Sequence, residues 1–159
     1  INANPIICAD LWKDLVASGI IPYYMFIPRD TGAQKYFGVP LNQAYHIFRD
    51  AYSQVSGLCR TVRGPIMSCS PGKVLVAGIS EINGEKVFVL QFVQGRNAQW
   101  TGKPFFAKYN QAAYWLDDLK PAFRQKEFFY EGQYRKIIEE KMNVQDINGE
   151  KFNAYSMFP

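Results

Sequence analysis

The residue of this chain best suited to covalent chemistry is Lys73, in the stretch Ser68-Cys69-Ser70-Pro71-Gly72-Lys73-Val74-Leu75-Val76. A neutral lysine amine attacks carbonyl carbons, and here the amine follows a Pro-Gly turn and opens a β-rich run. Turn chemistry accounts for Pro71 and Gly72 by itself, and most lysines on such turns are solvated. Other reactive residues are few. Cys8, Cys59 and Cys69 lack metal-ligand spacing, and His46, the single histidine, is not near Cys59 or Cys69. No zinc or iron–sulfur site is expected from these residues alone.

The elements that must position Lys73 follow from periodicity. Asn4-Pro5 reads as a helix start, Leu11, Trp12, Leu15 and Val16 recur at helical spacing, and Gly19 is a stop. Ile20–Ile27 is an apolar run without alternation, which predicts a strand buried on both faces, closed by Pro28 and the turn Arg29-Asp30-Thr31-Gly32. A second helix opens at Pro40. Leu41, Ala44, Tyr45, Phe48, Ala51, Tyr52 and Val55 form its apolar stripe, Gly57 ends it, and His46 falls on the polar side. Val74–Ile82 and Glu85–Val93 are β-rich and joined by Asn83-Gly84, a strong hairpin signal. Phe105–Tyr109 reads as a short strand, Gln111–Leu119 as a helix stopped by Pro121, and Gln133–Lys141 as a polar helix. Ile-Asn-Gly-Glu-Lys occurs at Ile82–Lys86 and again at Ile147–Lys151, which predicts two hairpin turns.

Composition narrows the class. The chain has 159 residues, 48% of them hydrophobic, enough for one core. No apolar run reaches the roughly 18 residues of a membrane span, and no secretory leader is visible at the start. The net charge of +4 comes from dispersed basic residues, with Arg60 and Arg63 the near pair, so a nucleic-acid stripe is not expected. The cysteine thiols fit a reducing, cytoplasmic setting. A single buried parallel strand cannot shield its own backbone and faces. The 12 Phe and 10 Tyr supply material for an interface. Either the chain associates with copies of itself or more protein precedes it; the second is favoured, and a homo-oligomer is expected in either case.

Taken in order, these segments resemble the C-terminal part of the lysine 2,3-aminomutase family of radical S-adenosylmethionine enzymes. Ile1-Asn2 with Trp12, Leu15 and Gly19 is similar to a family helix. Pro22-Tyr23-Tyr24 is similar to its Pro-Tyr-Tyr strand, and Asp30 falls in the acidic loop after that strand. Pro40 to Ile47 and Val55-Ser56-Gly57-Leu58 are similar to the next helix and its exit. Pro71-Gly72-Lys73 with Glu85-Lys86-Val87 is similar to the lysine loop and its hairpin. The likeness covers residues 1–109. It implies an α/β fold: the last strand–helix unit of a partial TIM-type barrel (1–58), then the cofactor-lysine loop, β-hairpin and cap (59–131), then a C-terminal arm (132–159).

The resemblance also implies chemistry. In the family, pyridoxal phosphate rests as an imine on an enzyme lysine, a position that falls here on Lys73, with Gly72 letting the backbone approach the cofactor. Asp30 corresponds to the acid that helps hold the substrate's distal ammonium. S-adenosylmethionine and a [4Fe-4S] cluster belong to barrel strands absent from this chain, as is the C-x3-C-x2-C motif. The glycine run before the lysine is shortened to Pro71-Gly72. Ser68 or Cys69 stands near the place of a second acid, so a distal ammonium would be left half-paired and lysine is disfavoured as substrate. Arg60 and Arg63 suit an acidic partner or ordinary surface roles. The expected function is the C-terminal segment of a 1,2-amino-migrating isomerase acting on a small amino-acid-like substrate, incomplete alone. The alternatives are a fold relative with other radical chemistry and a non-catalytic protein-binding module.

Overall fold

The computed structural model describes residues 3–29, 31–32 and 34–148. Helix α1 (Pro5–Ala17) begins as its sequence dictates: the Asn4 side chain accepts the Ile6 N–H at 2.9 Å, and Pro5 needs no partner at the first position. Its end is closed by Gly19 at φ +79°. The Ile20 N–H donates to Leu15 O at 2.8 Å and the Gly19 N–H to Val16 O at 3.0 Å, so the last carbonyls are satisfied. Strand β1 is short, Tyr24–Phe26, and a one-turn helix α2 (Gln34–Phe37) precedes α3 (Leu41–Tyr52).

α3 buries Leu41, Ala44, Ile47 and Ala51. The expected stripe is therefore shifted: Tyr45, Phe48 and Tyr52 are half-buried, and Ile47 takes the core position. Cys8, Ala9 and Trp12 of α1 meet Ile47, Ala51, Val55 and Val62 in one apolar cluster, with the Trp12 and Phe48 rings 5.6 Å apart. α3 ends at Tyr52, and Gly57, at φ +55°, instead opens a 3-10 turn over Gly57–Thr61.

The sheet has five strands in the order β1-β2-β3-β4-β5, where β2 is Arg63–Cys69, β3 Gly72–Ile82, β4 Glu85–Gly95 and β5 Pro104–Lys108. β1 runs parallel to β2, and every later pairing is antiparallel. Asn83 (φ +52°) and Gly84 (φ +74°) both adopt the left-handed region, the backbone a two-residue hairpin needs. Cross-strand pairs share a face. Met67, Val74, Phe92, Val76, Leu90 and Phe105 pair along one face and are all buried, with Trp100 packed on Phe92 at 5.5 Å. The opposite face carries Ser68, Lys73, Leu75 and Gln91, all half-buried. Lys73 therefore stands on the partly covered side of the sheet.

Several expectations are corrected. The run Ile20–Ile27 does not form a strand buried on both faces: only Tyr24–Phe26 is extended in a ladder, and Ile20, Ile21, Tyr23 and Phe26 are 54%, 64%, 66% and 49% exposed. Among the described residues no strand pairs with the second edge of β1, so an apolar run without alternation here marks a sheet edge. Gln111–Leu119 is not a helix beyond the single turn Leu116–Asp118. The Asp118 carboxylate accepts the N–H groups of Tyr114 and Trp115, and the Asn110 side chain that of Ala112, local bonds that compete with helical ones. The second Ile-Asn-Gly-Glu-Lys copy is not a turn at its start, since Ile147 and Asn148 close a helix; the rest lies outside the described residues.

The chain divides into two compact units, Ile1–Lys126 and Glu127–Pro159. The second consists, as described, of helix α4 (Glu131–Asn148) and its lead-in. Within it Arg135 reaches Glu127 at 2.6 Å, and the Phe128 and Tyr130 rings lie 5° from parallel. Among the described residues no helix is long and apolar enough to cross a membrane.

Candidate functional site

Lys73 owes its place to the β2–β3 turn. Cys69 pairs with Gly72 across Ser70-Pro71, which fixes Lys73 directly opposite Ser68. Arg96 holds the turn: its N–H donates to Pro71 O at 2.9 Å and its Nε to Ser70 O at 3.1 Å. Gly72 has φ +151°, and a Cβ there would stand 2.2 Å from Gln94 O and 2.8 Å from the Gly95 Cα. Close approach of the β4 backbone is thus sufficient reason for glycine, whether or not a cofactor comes near.

The Lys73 side chain is half-buried, and its Nζ lies 5.6 Å from the centroid of the Tyr24 ring. Among the described residues this ammonium has no hydrogen bond or ion pair; its charge faces a π surface. Tyr24 is itself crowded. Its phenol is pushed above the ordinary value chiefly by burial and then by a hydrogen bond with Tyr23, while the Arg63 guanidinium pulls the other way. Arg29, just past β1, donates from Nη2 to Ser68 Oγ at 3.3 Å. An amine, an aromatic ring, a hydroxyl and a guanidinium thus gather where β1, β2 and β3 meet.

Of the residues read from the sequence, Lys73 and Gly72 are in this group, and Asp30 lies outside the described residues. Arg60 has a structural role: its Nε donates to Val55 O at 2.7 Å and its guanidinium lies 5.1 Å from the Tyr52 ring centroid. Arg63 is the register partner of Tyr24 across β1 and β2. His46 is exposed beside Tyr45. Sequence reasoning gives no site role to Tyr24 or Arg29, and places Ser68 only near the position of a missing second acid. The missing signal was β2, because Gly64-Pro65 reads as an interruption and not as part of a central strand. Without that strand nothing aligns Ser68 with Lys73 or brings Arg29 to it.

A groove of about 340 Å³ lies between α1, β1 and α3, and Tyr24 belongs to its wall as well as to the Lys73 group. Its walls include Leu11, Trp12, Met25, Ile27 and Ile47, and the thiol of Cys8 is held above its ordinary value by burial. That environment suits packing better than nucleophilic chemistry. No cluster of three His, Cys, Asp or Glu able to hold a metal occurs among the described residues.

Comparison with known proteins decides the family likeness. Over 108 residues the chain is 30% identical to the "Putative L-lysine 2,3-aminomutase" of Aquifex aeolicus (strain VF5). This chain is lysine 2,3-aminomutase-like. The match takes in 68% of the chain but 28% of that relative, so the chain spans under a third of its length. No family model matches the chain. No solved structure matches it either. For a lysine 2,3-aminomutase-like chain the Lys73 group is the natural candidate site, being where a half-buried amine meets an aromatic face and a cation.

Proposed function

We propose that this chain is the C-terminal segment of an amino-acid aminomutase-like isomerase, and that Lys73 is the residue on which pyridoxal phosphate is held. The observation that carries the proposal is the half-buried ammonium of Lys73 set on the Tyr24 ring, with no described acceptor, in a lysine 2,3-aminomutase-like chain. The residues present fit the cofactor. An amine can hold its aldehyde carbon, a tyrosine ring offers a flat face, and Arg29 and Ser68 offer donors to an anion. When bound, the cofactor would supply electron delocalisation for migration of a substrate nitrogen.

The chain's own residues would have narrower tasks. Tyr24 holds the Lys73 amine against its ring and limits water around it. Arg96 keeps the turn carbonyls fixed, so Lys73 approaches from a rigid hairpin. Asp30 is proposed as a substrate contact from the resemblance alone. The described residues do not fit a [4Fe-4S] cluster: Cys8, Cys59 and Cys69 lie on three separate elements, and no metal-holding group forms among them. S-adenosylmethionine and the cluster would be held by other parts of the whole protein.

The same reading extends to architecture. β1 would be the last strand of a partial barrel, with a preceding strand on its open edge. Support comes from the exposed side chains of Ile6, Ile7, Ile20, Ile21, Tyr23 and Phe26 on α1, β1 and the segment between them. It also comes from the length of the relative. The test is to supply the intact gene product with pyridoxal phosphate, S-adenosylmethionine and a reductant, then follow a panel of L-amino acids by NMR. A 2,3-amino shift supports the proposal. A cofactor absorbance that never differs from that of free pyridoxal phosphate overturns it.

A further inference from the structure

The aromatic stripe of α3 lines a second groove. Tyr45, Phe48 and Tyr52 recur at helical spacing, yet the core position belongs to Ile47 and these rings stay half-buried. Across a space of about 310 Å³ they face the start of β2 and the middle of β3, where Arg63, Leu75 and Ala77 stand in the far wall. Gly64 brings no side chain to that wall, and a Cβ there would lie 3.3 Å from the Phe48 ring. The Phe48 and Tyr52 rings are 25° from parallel with centroids 5.4 Å apart, so α3 presents a nearly flat apolar face. The space is at the low end for small-molecule pockets, about 300–1,000 Å³, which suits a body of one or two fused rings.

Its charge is one-sided. Arg49 is neutralised by Asp50 at 2.9 Å, but the exposed Arg63 guanidinium has no carboxylate partner among the described residues. Its described polar neighbour is the Tyr24 phenol, which burial keeps protonated at neutral pH. Among the described residues no acidic side chain lines the groove. A guanidinium fork beside stacked rings suits a carboxylate carried on an aromatic body, because each half of the ligand meets its own complement.

We propose that the groove between α3 and the β2–β3 pair binds a flat aromatic carboxylate, with its rings against Tyr45, Phe48 and Leu75 and its carboxylate on Arg63. A single uncompensated positive charge favours a monoanion. Apolar walls give an ammonium of the same shape nothing to pair with, and Arg63 repels it. Lys73 is not part of this wall, and the proposal does not rest on the role given to that residue above.

Titration calorimetry of the intact gene product, without pyridoxal phosphate, tests this with 2-naphthoate, its saturated analogue decahydro-2-naphthoate, and 2-naphthylmethylamine. The expected result is saturable binding of 2-naphthoate, about fivefold weaker binding of the saturated acid, and no binding of the amine. Arg63→Gln should weaken 2-naphthoate by about tenfold or more, as loss of a charged hydrogen bond does. Its side chain is exposed, so the urea midpoint should stay that of the wild type. Ala77→Phe, at the exposed residue between the shifted registers of Val76 and Gly78, should obstruct the groove and weaken binding as much. Lys13→Gln, which removes a cation paired with Asp10 on α1, should leave affinity unchanged. Absence of 2-naphthoate binding, equal affinity for the saturated acid or the amine, or affinity undiminished in Arg63→Gln or in Ala77→Phe each overturns the proposal.

Discussion

Lys73 and Tyr24 come from opposite sides of a β-strand that neither belongs to: β2 lies between them, yet the lysine Nζ stands 5.6 Å from the tyrosine ring centroid. The sheet order β1-β2-β3 makes this contact, with a parallel step on one side of β2 and a tight hairpin on the other. Cation–π contacts contribute about 0.5–1 kcal/mol at exposed sites and more when desolvated. Tyr24→Leu should therefore lower stability to urea by about 1 kcal/mol and speed Lys73 modification by amine reagents, whereas Tyr24→Phe should leave that modification rate nearly unchanged. Equal rates in all three proteins would remove the contact from the account.

Gly72 is held to glycine by backbone and not by chemistry. Gly72→Ala puts a methyl group 2.2 Å from Gln94 O at an unfavourable φ, so the β3–β4 ladder must open. A loss of more than about 2 kcal/mol is expected from strain of this kind. Gly102→Ala is the comparison: φ is +80° but nothing lies within 4 Å, and about 1 kcal/mol is expected from the backbone term alone. Denaturant melts of the two variants should differ in that order.

The start of α1 offers a smaller test. Asn4→Ala removes the acceptor for the Ile6 N–H and should cost about 1 kcal/mol, while Asn4→Asp should retain most of the stability. The same urea midpoint measurement checks both.

Cys8 and Tyr24 predict alkaline behaviour. Burial raises the Cys8 thiol and the Tyr24 phenol above their ordinary values of 9.0 and 10.0. Both groups are neutral when protonated, so the fold favours the protonated forms. Their contribution is complete below the ordinary values and disappears as pH rises through the raised ones. Stability should thus be level from neutral pH to about 9 and then fall, and Cys8→Ala should flatten the first part of that fall. A thiol reagent at neutral pH should reach half-buried Cys59 before buried Cys8 and Cys69.

Local chemistry was readable from single residues, and pairing was not. Asn4-Pro5, Gly19 and Asn83-Gly84 each carry a complete instruction, because a cap or a left-handed turn needs only its own few atoms. The Phe105–Tyr109 run and the polar C-terminal helix were legible from composition. β2 was not legible, since Gly64-Pro65 interrupts its apolar pattern, and its partners come from two different stretches of chain, one on each side of it in sequence. The apolar run at Ile20–Ile27 misled because a strand that awaits another neighbour reads like one already covered. The site divided in the same way. Lys73 was visible from its turn, but Tyr24, Arg29 and Ser68 join it only through the register of β1 on β2.

The central claim, that the amine at the end of the Ser70-Pro71 turn is the cofactor's anchor, meets its most direct test in reductive trapping. The intact gene product is incubated with pyridoxal phosphate, reduced with borohydride, digested, and its modified peptide read by mass. The account predicts one predominant adduct, on Lys73, lost in Lys73→Ala. A predominant adduct on any other lysine, or labelling undiminished in Lys73→Ala, would contradict it.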